Sequence, residues 1–368
     1  MDKNLKYILR TLQMSKRSHK KHKSKSSRTL PILPTCLVED ILAWIPPTQV
    51  VRLQRLSKNV KAAINSRYCA KLNLERYWPI LGEKLDPYWF IWPAAFQDVY
   101  TDLAFSRATV INPCFYAIVS FGNANTRIPH RVGSLIKLEE LSLMRIGIRG
   151  AIPTSLGNLR NLKTLSLRAN VLQGPIPDEF GMLSCLETFD FSANRISGPL
   201  PPTLGNLNQL HTLCGYANCL SGPLPIELSN LKNLTFLNLD NNELEGPIPP
   251  SFERLESLKS LSLRSNKLTG EIPASICNIQ TLEWLHLDDN SIVGEIPKEM
   301  GNMIQLRSIQ MKGNLLVGPI PVEFAALTAL KYLFLGGNGL DNLEEDLAHE
   351  LKRLVLWQTD IPGLMETS

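Results

Sequence analysis

The sequence predicts an α/β solenoid that follows a small helical domain. The first observation behind this prediction is a tetrapeptide, Gly-x-Ile/Leu-Pro, which recurs eight times, each copy 24 residues after the one before. A fixed period of this length indicates stacked repeats rather than one packed globule. The copies begin at Gly150, Gly174, Gly198, Gly222, Gly246, Gly270, Gly294 and Gly318.

The second observation is the pattern inside each repeat. Between Leu234 and Leu239 the leucines alternate with other residues, so they point to one side of a strand. Stacked copies should form a parallel sheet on the concave side. An asparagine follows each strand, as Asn242 does here, and its amide can pair backbone groups that would otherwise be buried without partners. The glycine permits the next bend, and the proline ends the backbone pairing.

The complete unit resembles a known repeat class. It reads Leu234-x-x-Leu237-x-Leu239-x-x-Asn242-x-Leu244-x-Gly246-x-Ile248-Pro249. This pattern is similar to that of the plant-type leucine-rich repeats, which usually serve as binding surfaces.

Two departures from the repeat pattern are informative. Ile146 stands where the first asparagine belongs, so the amide column should begin one repeat later. Gly215 stands in a leucine column, and Phe191 occupies the same column in the preceding repeat. We predict that the large Phe191 ring fills the volume that Gly215 leaves.

The segment before the repeats, residues 33–66, carries apolar residues at helical spacing. Pro46-Pro47 should stop a first helix, Thr48 can cap a second, and Ser57 can cap a third. Three short helices cannot bury a large core by themselves. The segment is therefore either a helical cap for the solenoid or a surface that a partner protein completes.

Residues in this segment resemble an F-box, in the order Leu33-Pro34, Leu37, Ile41-Leu42, Ile45-Pro46, Val50, Leu53 and Leu56-Ser57-Lys58. Cys36 and Asn59-Val60 depart from the commoner residues at their positions. Plant-type repeats after an F-box look like large families in some fungi. The resemblance implies docking on a Skp-type adaptor, which would join the chain to a cullin complex. The implied adaptor contacts are Leu33, Pro34, Leu37, Ile41, Leu42, Ile45, Pro46, Leu53 and Leu56.

Five regions are expected along the chain. Residues 1–30 form a basic disordered tail, and residues 31–70 form the F-box-like domain. Residues 71–127 form a helical connector and N-terminal cap, with one helix around Phe96, Val99, Tyr100 and Leu103. Residues 128–340 form the solenoid. Residues 341–368 form a C-terminal cap helix and tail, which the capping box Asp341-x-x-Glu344 starts.

Composition points to a chain inside the cell. No stretch approaches 18 consecutive apolar residues, and the N-terminus lacks the apolar core of a signal peptide. The seven cysteines show no paired spacing, which favours reduced thiols in the cytoplasm or nucleus. Residues 1–30 carry a net charge of +9 while the whole chain carries +5, so the remainder carries −4. The basic tail is a plain solvated tail, a nuclear-import signal or a nucleic-acid contact. The plain tail is favoured and nucleic-acid binding is not expected, because the solenoid has no basic stripe that would extend such a contact.

Sequence motifs for catalysis are absent. The chain has no phosphate loop, dinucleotide fingerprint, kinase signature or zinc-ligand spacing. His286 with Asp288 and Asp289 is the one constellation of titratable residues, and it suits an ordinary contact group better than a metal or acid–base site. We therefore expect no enzyme activity, no cofactor and no metal.

Exposed aromatic residues mark the expected target site on the concave sheet. Phe236, Trp284 and Tyr332 share one column at two-repeat spacing, and Ser260 and Ser308 between them should leave slots for a partner's side chains. A column of alternating charge, Asp240, Arg264, Asp288 and Lys312, runs beside them. Tyr332 and Phe334 could instead pack under the C-terminal cap. The expected target-binding residues are Phe236, Trp284, His286, Asp288, Tyr332 and Phe334.

These features favour a non-catalytic substrate receptor of a Skp/cullin-type ubiquitin ligase. In this interpretation the F-box docks the adaptor and the repeats bind a protein target. A cytosolic scaffold or signalling protein without a ubiquitin link is the alternative. A receptor ectodomain is the third interpretation. The lack of a signal peptide and the lack of paired cysteines argue against it.

Overall fold

The computed structural model describes residues 65–71, 74, 94–100, 110–111, 127–341, 347 and 356–358. The chain divides into two compact units, Met1–Ser106 and Arg107–Ser368. The three predicted helices of the F-box-like segment end at about residue 66 and lie almost wholly outside the described residues.

In the first unit, the described residues include a helical turn over 67–71 and an α-helix over Ala94–Tyr100. The α-helix begins directly after Pro93, and it buries Phe96 and Val99 on one side. This confirms the predicted helix as far as Tyr100, whereas Leu103 lies outside the described residues.

The second unit contains a parallel sheet, here called the main sheet, with eleven strands among the described residues. Each strand supplies three residues or fewer and pairs with the strand one repeat away, so residues 24 apart are register partners along the repeats. The middle residue of each strand in the repeats, such as Leu237, is fully buried. The strands are Val110–Ile111, Glu140–Ser142, Thr164–Ser166, Thr188–Asp190, Thr212–Cys214, Phe236–Asn238, Ser260–Ser262, Trp284–His286, Ser308–Gln310, Tyr332–Phe334 and Leu356–Gln358.

The main sheet continues beyond the segment expected to form the solenoid, at both ends. Val110–Ile111 lies in the expected connector and pairs with Glu140–Leu141. Leu356–Gln358 lies in the expected C-terminal tail and pairs with Tyr332–Phe334. Because an open sheet edge leaves backbone groups unpaired, these flanking strands cover edges that the repeats would otherwise expose. Leu347 is helical and buried, and the rest of the predicted cap helix lies outside the described residues.

The asparagine column pairs the backbone as predicted. The Asn242 amide nitrogen donates to the carbonyl oxygens of Gly215, Leu239 and Asp240 at 3.1, 2.9 and 3.1 Å. Its amide oxygen accepts from the Leu220 N–H at 3.0 Å. Each asparagine thus ties its own turn to the preceding repeat, which a side chain without both donor and acceptor could not do.

The bend four residues after each asparagine requires glycine, because the backbone at that position is in the left-handed region. The eight glycines of the tetrapeptide have φ between 75° and 86°. A side chain there would be strained, which is the physical basis of the tetrapeptide period.

A feature absent from our sequence predictions lies between the asparagine and this bend. Short strands from successive repeats pair in parallel into two side sheets, one of six strands and one of three, counted over the described residues. The first contains Arg149–Gly150, Val171–Gly174, Arg195–Gly198, Cys219–Gly222, Glu243–Gly246 and Lys267–Leu268. The second contains Val293–Gly294, Leu315–Gly318 and Gly339–Leu340.

The side opposite the main sheet is formed by one 3-10 helix from each repeat. These helices are His130–Ser134, Thr154–Asn158, Asp178–Met182, Pro202–Asn206, Ile226–Asn230, Pro250–Arg254, Ala274–Asn278, Lys298–Asn302 and Val322–Ala326. Their close packing depends on small residues: a Cβ at Gly205 would lie 2.3 Å from the carbonyl oxygen of Glu227.

The glycine column is interrupted after Gly205, since Ser229, Glu253 and Cys277 occupy the same position in the next three repeats, and a local defect lies beside Ser229. Its hydroxyl donates to the carbonyl oxygen of Ile226 at 2.6 Å. One repeat later, Ser275 donates to the carbonyl of Pro250 at 2.8 Å, so the equivalent acceptor for Ser251 would be Ile226. The buried Ser251 hydroxyl has no hydrogen-bond partner among the described residues, and a shallow cavity of about 380 Å³ lies between the two helices.

The structure confirms the predicted packing at Gly215. A Cβ there would lie 2.3 Å from Phe191 Cζ and 2.5 Å from Phe191 Cε2. Phe191 is fully buried and lies against Phe189, with ring centroids 4.7 Å apart. The ring occupies the space that a leucine at position 215 would need.

Candidate protein-binding surface

The candidate site is the solvent-facing side of the main sheet over the five repeats from Phe236 to Phe334. Strand register places Phe236, Trp284 and Tyr332 in one column, with a serine between each pair. Trp284 is 36% exposed and Tyr332 is 38% exposed, whereas Phe236 is half-buried. Phe334 is half-buried two residues after Tyr332. We call these four rings the aromatic surface.

The spaces between the rings are not open slots, contrary to the sequence expectation. Ser260 is only 8% exposed and Ser308 only 2% exposed. A partner's side chain therefore cannot rest on the two serines. In this column the surface offered to a partner therefore consists of the rings themselves.

His286 belongs to a hydrogen-bonded network. Its Nε2 lies 3.1 Å from the hydroxyl of Ser308, which also accepts from Gln310 Nε2 at 3.2 Å. Burial, with a smaller contribution from nearby Arg264, lowers the pKa of His286 to about 4. The imidazole is therefore neutral near pH 7.

Arg264 connects this network to the charged column. Its Nη1 donates to Gln310 Oε1 at 3.4 Å, while its Nε and Nη2 donate to Asp240 Oδ2 at 3.3 and 3.2 Å. Asp240 is 4% exposed and also accepts from the Ser262 hydroxyl at 2.7 Å. The Asp240 carboxylate is thus used inside the protein, where it holds the guanidinium in place.

Asp288, one of the expected target-binding residues, is also turned inward. It is 8% exposed, and its Oδ1 accepts from the Lys312 N–H at 3.0 Å. Burial raises the pKa of this carboxyl, and its Oδ2 has no hydrogen-bond partner among the described residues. Asp288 and Lys312 line a shallow cavity of about 520 Å³ whose wall includes Arg264 and Phe334.

The repeats before Phe236 present a more polar face. Thr164, Thr188 and Thr212 occupy the positions of the aromatic column. The largest side chain here, Tyr216, is half-buried and carries the Arg168 guanidinium 5.5 Å from its ring centroid, a cation–π contact. The exposed rings of the main sheet are thus confined to its C-terminal half, as the sequence predicted.

The network of Arg264, Gln310 and Ser308 was not predicted. Arg264 lies 46 positions from Gln310, and His286 lies 22 positions from Ser308, so no local pattern marks these pairs as partners. The stacking of strands brings these side chains together. The sequence alone could predict only that they face the same side of the sheet.

Other functional features are few in the described part of the chain. No cluster of three or more metal-ligating side chains occurs there. No helix in this part is both long and apolar enough to span a bilayer. All five cysteines within it, among them the exposed Cys219, are free thiols. The nine expected adaptor contacts, from Leu33 to Leu56, lie outside the described residues.

Comparison with protein-family models identifies both parts of the chain. An F-box domain matches residues 30–72. Leucine-rich repeat models match residues 161–183, 185–207 and 232–292. No curated protein sequence matches the chain significantly.

Solved structures support the fold of the repeats. The plant peptide hormone receptor RGFR1 in complex with RGF2 is 32% identical with a TM-score of 0.65, over 73% of this chain and 42% of that one. The ectodomain of the Arabidopsis receptor kinase HAESA, with a peptide hormone ligand, is 36% identical with a TM-score of 0.58, over 63% and 40% of the two chains. A plant ice-binding protein is 25% identical with a TM-score of 0.54, over 66% and 80%.

The chain spans less than half the length of the two receptors, so only the repeat fold carries over from them. The F-box match precedes the repeats in the sequence, and none of the three similar structures is described as containing one. The chain therefore combines an F-box domain with plant-type leucine-rich repeats, which makes it an F-box/LRR protein.

Proposed function

We propose that this chain is a non-catalytic substrate receptor of a Skp/cullin-type ubiquitin ligase. In this role the F-box docks on a Skp-type adaptor, and the aromatic surface binds a protein target. The observation that carries the proposal is the joining of an F-box domain at residues 30–72 to a repeat array with exposed rings on its main sheet.

The adaptor part of the proposal rests on the apolar residues of the F-box. Leu37, Ile41 and Leu42 recur at helical spacing and would lie on one face. A segment of about 40 residues buries too little surface to hide such a face by itself. Docking on an adaptor would remove these side chains from water.

The target part rests on the rings of the main sheet. Exposed Trp and Tyr residues are frequent binding hot spots, because they offer a large apolar area together with a polar group. Trp284 stands at the centre of the aromatic column. The network on the same sheet face, from Asp240 through Arg264 and Gln310 to Ser308, fixes its own side chains in one arrangement, which would lower the entropy lost on binding.

One experiment tests both parts with the full chain. The wild type, the double variant Leu37→Asp/Ile41→Asp and Trp284→Ala are each immobilised, exposed to purified Skp-type adaptor, and used separately to capture proteins from cells. We expect the double variant to lose the adaptor and keep its repeats folded. Trp284→Ala should keep the adaptor and lose one specific captured protein, with affinity reduced at least about thirtyfold.

Ser166→Ala is the matched control, because it changes the polar half of the same sheet face. It should retain both the adaptor and the captured protein. Failure of the wild type to bind any Skp-type adaptor would reject the ligase role and favour a scaffold. Unchanged capture by Trp284→Ala would move the target site away from the aromatic surface.

A further inference from the structure

Charge on the main-sheet face is unevenly distributed around the aromatic surface. The residue directly before each strand forms a column at its edge, and in the C-terminal half this column reads Lys259, Glu283, Arg307 and Lys331. Lys259 and Lys331 are exposed and make no ion pair among the described residues. Arg307 is paired with Glu283 at 2.9 Å, and its side chain is still 47% exposed.

The opposite edge of the rings is also cationic at its surface. Lys312 is exposed, and its ammonium group has no ion-pair partner in the described part of the chain. Two of the nearby acids are turned inward, since Asp240 is 4% exposed and Asp288 is 8% exposed. The neighbouring Asp289 is exposed. Over the described residues, a partner therefore meets the cations on both edges and little of the compensating negative charge.

The N-terminal half of the same face lacks this excess. Its exposed charges are Glu139, Arg145, Lys163 and Glu187, which balance one another. Lys163 is also paired with Glu139 at 2.8 Å. The positive surface thus coincides with the exposed rings, and both end where the polar half begins.

We infer that the target binds through an acidic segment with an apolar side chain, laid along the aromatic surface between Lys259 and Lys331. This inference rests on the proposed function and specifies the chemistry of its target. The apolar side chain would contact Trp284, while carboxylates on either side would approach the unpaired lysines. Such charges steer association and set orientation more than they add to affinity.

The spacing of the cations favours carboxylates over a phosphate group. Lys259 and Lys331 stand three repeats apart, which is roughly 14 Å at ~4.8 Å per strand. A phosphate is held best where several donors converge on one point, as in an arginine fork. Here the guanidinium of Arg264 is already bound to Asp240, and the lysines are separate single charges. A row of single carboxylates matches that arrangement.

The test uses fluorescent synthetic peptides and the full chain. An acidic peptide with one central tryptophan is compared with versions in which the acids are replaced by glutamine or by lysine, and with a version carrying one phosphoserine in place of the acids. Fluorescence anisotropy measures binding at low and at high ionic strength. We expect the acidic peptide to bind best and to weaken with salt.

The variant Lys259→Gln/Lys312→Gln/Lys331→Gln should bind the acidic peptide about tenfold more weakly and remove most of the salt dependence. Lys163→Gln is the matched control, because Lys163 occupies the same repeat position as Lys259 in the polar half, and it should have no effect. Trp284→Ala should weaken every peptide that binds.

Several results would overturn the inference. One is that the acidic and glutamine peptides bind equally well, and another is that the triple variant binds the acidic peptide as the wild type does. A third is that the phosphoserine peptide binds most tightly of all the peptides. The last is that a single-stranded oligonucleotide binds more tightly than any peptide. Adaptor binding is measured on the same samples. If the adaptor binds and Trp284 is needed for target capture while the acidic peptide fails, the inference falls and the proposed function stands.

Discussion

The substitution Gly215→Leu restores the leucine of the repeat pattern, and we expect it to destabilise the protein. A Cβ at position 215 would lie 2.3 Å from Phe191 Cζ, 2.5 Å from Cε2 and 3.1 Å from Leu239 Cδ2. Heavy atoms in contact need about 3.5–4.0 Å. The first side-chain atom already overlaps the ring, and leucine adds three more carbons.

The magnitude follows from the packing around Phe191. The ring is fully buried beside Phe189, which itself lies 5.4 Å from Phe180 between ring centroids, so it cannot rotate into solvent. Overpacking of this kind costs typically 1–3 kcal/mol. For a folded unit of this size each kcal/mol shifts the melting temperature by about 2–4 °C, so a decrease of roughly 2–12 °C is expected.

A double-mutant cycle isolates the compensation between the two positions. Phe191→Leu alone should also destabilise, because it leaves space beside Gly215 unfilled. Phe191→Leu combined with Gly215→Leu restores leucine at both positions and should recover most of the lost stability. Circular dichroism melts of the four proteins give the coupling. A melting temperature of Gly215→Leu at or above the wild-type value, or additive losses in the double variant, would refute the reasoning.

Two further predictions concern the 3-10 helices and the hydrogen-bonded network that includes His286. Gly205→Ala should lower the free energy of unfolding in urea by roughly 1–3 kcal/mol, because the added Cβ would lie 2.3 Å from the Glu227 carbonyl oxygen. Ser229→Ala, at the equivalent position one repeat later, should stay within about 1 kcal/mol of wild type. Equal losses of stability in the two variants would mean that neighbouring 3-10 helices can move apart to accept the added Cβ. His286 has its pKa lowered to about 4, chiefly by burial, so the unfolded chain takes up a proton near pH 6.5 that the folded chain does not. Stability should therefore fall as the pH drops from about 6.5 to about 4, and His286→Gln should remove that part of the loss while His211→Gln should not. An NMR titration of the His286 ring with a midpoint near 6.5 would contradict this prediction.

The sequence by itself determined the repeat architecture. A 24-residue period forces every copy into the same backbone path, so the register partners, the buried leucines and the asparagine hydrogen bonds could all be predicted from one unit. The compensation between Phe191 and Gly215 was also predictable, because stacking makes residues 24 positions apart direct neighbours. The aromatic column was predictable from the same 24-residue period, since alternation along each strand places Trp284 and Tyr332 on the face away from the core.

Only the tertiary structure decided how the side chains of that face share space and charge. Alternation placed Ser308 and Asp240 on the solvent-facing side, yet they are 2% and 4% exposed. His286 and Gln310 contact the Ser308 hydroxyl, and the Arg264 guanidinium contacts the Asp240 carboxylate. Arg264 reaches Gln310 across two repeats, a contact set by rotamers and strand stacking rather than by any local pattern. Which charges remain at the surface follows from these contacts: carboxylates that satisfy backbone and guanidinium donors turn inward, and the lysines without such partners stay in water.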